Sequence, residues 1–107
     1  MEIRVEIGDQ LFDLEVPDAL VSEAEAFFEK MDRDMNCGWQ MSRWWVPEPD
    51  SEQRCQIVAD KLLTAIQKDN TETAMLMSAY ILRNRPTTRR IHIVTNGEIQ
   101  GNAFYDE

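Results

Sequence analysis

The chain holds one histidine, two cysteines and four glycines among 107 residues, and each scarcity closes off a class of chemistry. Cys37 and Cys55 are too few for the disulfide scaffold of a small secreted domain. They form no C-x-x-C pair, and His92 would add only a third nitrogen or sulfur ligand, so no metal site is expected. The glycines are scattered, leaving no phosphate-cradling loop. G-x-G-x-x-G, G-x-x-x-x-G-K-[ST], H-E-x-x-H and the calcium-loop pattern are all missing. No cofactor is expected, and a non-enzymatic role is favoured over an enzymatic one. No apolar run approaches the roughly 20 residues of a membrane span. Met1 leads directly into a charged, alternating pattern instead of a leader. A soluble, cytoplasmic protein is the expectation.

Basic residues are scarce in one half only. Residues 1–50 carry 13 acids against 4 Lys/Arg, and residues 51–107 carry 7 of each, giving the net charge of −9. Such a surface repels nucleic acid and anionic membranes and favours basic partners. The apolar fraction of 43% and charged fraction of 29% are globular values. The length suits one compact domain over residues 1–107.

Ile3, Val5 and Ile7 alternate with Glu2, Arg4 and Glu6, Gly8-Asp9 supplies a turn, and Phe12, Leu14 and Val16 resume the alternation. That is a β-hairpin. Leu20, Val21, Ala24, Phe27, Phe28, Met31 and Met35 share one helical stripe, which predicts a helix over 18–36. Asp18 is one start signal, and Ser22 with Glu25 is a second. A helix over 51–68 follows, capped by Asp50 or Ser51, and Asn70-Thr71 opens another whose near-continuous apolarity from Ala74 to Leu82 marks the centre of the core. Ile91, Ile93, Asn96-Gly97 and Ile99 predict a second hairpin. The expected fold is α+β, in the order ββ-ααα-ββ, with an antiparallel sheet of about four strands against three helices.

Two clusters stand out within that frame. All three tryptophans lie between Trp39 and Trp45, with Met41 and Arg43 among them and Pro47 behind. Run as one strand, the segment puts Trp39, Met41, Arg43 and Trp45 on one face and Trp44 on the other. Tryptophan and arginine dominate interface energetics, so Trp39, Met41, Arg43, Trp44 and Trp45 are the candidate surface for a protein partner or for self-association as a homodimer. The second cluster is Arg83, Arg85, Thr87, Thr88, Arg89 and Arg90, a local reversal of charge. It allows a small anionic or phosphate-bearing ligand, since arginine forks suit phosphate and carboxylate. Its simpler use is internal: Arg83 and Arg85 against a helix C-terminus, Arg89 and Arg90 paired with acids of the N-terminal half. A protein-interaction module is the leading expectation and an anion-binding regulatory domain the alternative.

Overall fold

The computed structural model describes residues 1–107. The alternating opening forms β1 (Glu2–Ile7) and β2 (Gln10–Glu15), paired antiparallel about Gly8-Asp9. Gly8 takes φ +59°, as a two-residue hairpin turn demands. The helix expected over 18–36 is two helices, α1 (Asp18–Glu23) and α2 (Glu25–Asn36), separated at Ala24. Ser22 precedes the break and turns its hydroxyl back onto the Ala19 carbonyl, a local bond that competes with regular helix. The buried stripe narrows accordingly: Phe28, Met31 and Met35 are inside, and Phe27 is exposed.

The tryptophan segment is a short hairpin of its own, β3 (Trp39–Met41) and β4 (Trp44–Val46), and not an added edge strand of the main sheet. α3 (Ser51–Gln67) begins with a reciprocal capping box between Asp50 and Gln53. It ends in a Schellman motif: Asp69 N–H donates to the Ile66 carbonyl and Asn70 N–H to the Ala65 carbonyl. Asn70 then caps α4 (Thr71–Asn84), its Oδ1 accepting from Thr73 N–H at 3.1 Å. The chain finishes with β5 (Arg90–Ile93), a 3-10 turn at Ile99–Gly101 and β6 (Ala103–Tyr105).

The main sheet has the order β2-β1-β5-β6 and is mixed, because β1 and β5 run parallel. This corrects the all-antiparallel sheet and the simple ββ-ααα-ββ order. A hairpin fixes the pairing inside itself but not the direction in which it meets another hairpin. The two strands whose apolar rows are wholly buried, Ile3-Val5-Ile7 and Ile91-Ile93, take the centre. β2, carrying the exposed Leu11, is left at the edge. Asn96-Gly97 does not make a two-residue turn. Residues 94–102 form a wide loop closed by the buried Asn102, which accepts from Val94 N–H and donates to the Gln56 carbonyl.

The helices cover one face of the sheet, with α4 central as its apolarity implies. The opposite face, with Arg4, Leu11, Asp13, His92 and Tyr105, meets solvent. One polar network ties three helices together: the Tyr80 hydroxyl donates to Asp32 Oδ1, and Arg54 reaches Asp32 and Asn36. Burial, reinforced by the Asp32 carboxylate, pushes the Tyr80 phenol well above its usual range.

Candidate functional site

The β3–β4 hairpin turns through Ser42 and Arg43, with Trp39 opposite Val46, Gln40 opposite Trp45 and Met41 opposite Trp44. Residues opposite one another share a face. Trp39, Met41, Trp44 and Val46 are therefore on one side and Trp45 on the other, which corrects the single-strand alternation. The reversal at Ser42-Arg43 shifts the phase. Met41 is fully buried and Trp39 half-buried, the latter with the Lys61 ammonium 4.8 Å from its ring. They root the hairpin in the core. Trp44, on the same face but beyond the core's rim, is 63% exposed. Trp45, on the far face, is 59% exposed. Arg43 is exposed at the turn of the hairpin, next to Trp44 in sequence.

Two contacts hold this tip in place. Ser42, at φ +58°, donates to the Gly97 carbonyl at 2.8 Å and accepts from Ile99 N–H at 2.9 Å. Its hydroxyl thereby locks the turn to the wide C-terminal loop. Gly38, at φ +98°, lies directly beneath the Trp45 indole, where any Cβ would overlap the ring. The glycine lets the indole lie flat against backbone. The result is a pair of large aromatics held outward on a braced support, an arrangement that lowers the ordering cost of binding. The Ser42 clamp was invisible in the sequence, since it joins residues 55 apart.

The arginine cluster is dispersed. Arg83 forms a fork on Glu25 at the start of α2 and lies over the Phe28 ring, and its guanidinium is held more firmly charged by that carboxylate. Arg90 donates to Glu6 at 2.9 Å and lies 4.1 Å from the Tyr105 ring centroid. The Arg90 hydrogen bond, with His92 3.4 Å away on the same oxygen, holds Glu6 below the usual carboxylate range. Arg85 packs over Phe104, Thr87 donates to Asp106, and Thr88 is buried. Arg89 makes no ion pair and lines an open groove of about 420 Å³ with Glu2, Arg4, Asp13, Arg90 and Glu107. Carboxylates there match guanidiniums in number.

His92 faces away from the isoleucines on the open side of the sheet. Cys55 is buried and Cys37 exposed, both as free thiols. No three His, Cys, Asp or Glu side chains converge as metal ligands would, and no helix is long and apolar enough to cross a membrane. Neither family models, curated proteins nor solved structures return a match to this chain.

Proposed function

We propose that this chain is a non-enzymatic protein-interaction module whose contact surface is the tip of the β3–β4 hairpin. The observation that carries the reading is the exposure of Trp44 and Trp45, 63% and 59%, on a hairpin rooted by Trp39 and Met41 and clamped by Ser42. Exposed neighbouring tryptophans are costly to keep in water, and with arginine they are the residues that most often dominate binding. Arg43 adds a charged donor at the same tip. The net charge of −9 sets two copies against each other and favours a different protein over self-association. Free thiols at Cys37 and Cys55 suit a soluble protein of the reducing cytoplasm. The anion-binding alternative has less behind it, because Arg83 and Arg90 already engage carboxylates, which leaves Arg85, packed over Phe104, and Arg89 without an acid.

The test pairs R43A/W44A with the wild type as bait in pull-downs, alongside light scattering and thermal unfolding. A partner retained by the wild type and lost by a variant of unchanged melting temperature supports the reading. A variant that unfolds, or retains the same proteins, overturns it. A concentration-dependent dimer lost in the variant would make the partner a second copy.

A further inference from the structure

β2 is the edge of the main sheet, and one of its two rows of backbone groups pairs with nothing. In a two-residue hairpin closed by Ile7 and Gln10, hydrogen-bonded pairs fall at every second residue. Gln10, Phe12 and Leu14 thus pair with β1, and Val16 N–H continues the series to the Met1 carbonyl at 2.7 Å. The N–H and C=O groups of Leu11, Asp13 and Glu15 point outward. Natural edges are usually blunted by shortness, proline, lysine or a bulge. This one runs six residues without proline, lysine or a bulge, and its one guard is the acidic pair Asp13 and Glu15.

Beneath the edge lies an apolar groove of about 170 Å³, lined by Phe12 and Leu14 of β2 and by Ala65, Ile66, Asp69 and Ala74 at the α3–α4 corner. A strand added to β2 would place alternate side chains over this groove and the others on the open face of the sheet. The charges there have one dominant sign. Asp9, Asp13 and Glu15 line the edge strand, and Asp69 is the only charged residue lining the groove. Two cations on that side are already engaged, Arg4 with Asp13 at 2.8 Å and the Met1 ammonium with Glu15 at 3.3 Å, while Asp9 and Asp69 have no ion-pair partner. Asp69 is also poorly chosen for its own position. It occupies the left-handed residue after a helix at φ +55°, where glycine is least strained. It makes no ion pair that would compensate.

We propose that the β2 edge and this groove bind an extended segment of a partner protein in which apolar and basic residues alternate, the segment joining the sheet as a further strand. Apolar side chains enter the groove beside Phe12 and Leu14, and basic ones meet Asp13 and Glu15 on the open face, with Asp69 on the groove side adding to the negative field across the edge. A second copy of this chain is a poor occupant. Antiparallel β2–β2 pairing sets Asp13 against Asp13, Asp13 against Glu15 or Asp9 against Glu15, depending on register, and like charges opposite one another are destabilising.

The test titrates the full chain with acetyl-Lys-Val-Lys-Val-Lys-Val-Lys-amide and with a peptide of identical composition in blocks, Lys-Lys-Val-Val-Val-Lys-Lys, while recording backbone amide shifts. The alternating peptide is expected to move the amides of Leu11, Asp13, Glu15, Ile66 and Asp69 and to bind at least tenfold more tightly than the block peptide. L11P, which removes an outward donor, should abolish that difference, and D69K should weaken binding several-fold. Both variants are checked for unchanged shift dispersion, so loss of fold is separable from loss of binding. R43A/W44A should bind the peptide as the wild type does, which keeps the outcome independent of the hairpin surface. Equal binding of the two peptides, or shifts confined to other faces, would overturn the proposal. So would amide shifts of β2 that depend on protein concentration alone.

Discussion

Cys37 and Cys55 show how strongly burial separates two identical side chains. Cys37 is exposed, while burial pushes the Cys55 thiol from its ordinary value near 9.0 up to about 11. Iodoacetamide at pH 8 should therefore modify Cys37 and leave Cys55 untouched until denaturant is added, as peptide mass mapping would show. The same shift makes stability depend on alkali. Below the unfolded value both states keep the proton, and Cys55 has no effect. Between about pH 9 and 11 the unfolded chain loses the proton and the folded chain does not, so stability falls. Wild type should lose up to about 1.4 kcal/mol per pH unit more than C55A across that window in urea unfolding. Tyr80 is a second buried group with a defined partner. Y80F leaves Asp32 without its phenol donor and should cost about 1–3 kcal/mol, measured the same way.

Elements in this chain are held by their ends and junctions, and two glycine questions test that. G38A forces alanine to φ +98° and pushes a methyl group into the Trp45 ring. A loss of about 1–3 kcal/mol is expected, with a shift in tryptophan emission as the indole is displaced. At the α3–α4 corner the sign reverses: D69G relieves the left-handed strain at φ +55°. It should stabilise the fold by about 1 kcal/mol in urea unfolding. These junctions also mark where sequence reading succeeded and where it stopped. Period-two alternation and Gly8-Asp9 revealed the first hairpin, and Asp50 and Asn70 announced α3 and α4, because those signals act within a few residues. The break at Ala24 had its sign in Ser22 and Glu25, but the stripe across it looked continuous. Asn96-Gly97 misdirected the second hairpin, since Asn102 closes a wider loop by bonding to Gln56, a residue of α3. In the tryptophan segment single-strand alternation set Trp44 on the face opposite Met41, whereas the hairpin puts the two on one face, so the exposure of Trp44 did not follow from the pattern. Neither did that of Trp45, because it depends on a turn at Ser42 fixed by contacts with residues 97 and 99.

The molecule as a whole is closed by pairing its first strand with β5, across some eighty residues of chain. The parallel direction of that pairing was beyond local patterns, which carry no information about how distant strands meet. Its strength rests on Val5 and Ile91, opposite one another and both fully buried. Truncating Ile91 to alanine should cost about 2–5 kcal/mol in chemical unfolding, through lost burial and the cavity it leaves. Charge is organised at the same scale. The excess arginines of the C-terminal half reach back to N-terminal acids, Arg83 to Glu25 and Arg90 to Glu6. With Arg83 and Arg90 so engaged, the bare aromatic surface at Trp44 and Trp45 is the largest that internal packing leaves unexplained. The most direct measurement places a photo-reactive benzoylphenylalanine at position 44, and in a second variant at position 29 on the exposed side of α2, in cells that make the protein. A discrete cross-linked adduct from position 44 and none from position 29 is the expected result. No adduct from position 44, or the same adducts from both positions, would contradict a binding surface at the hairpin tip.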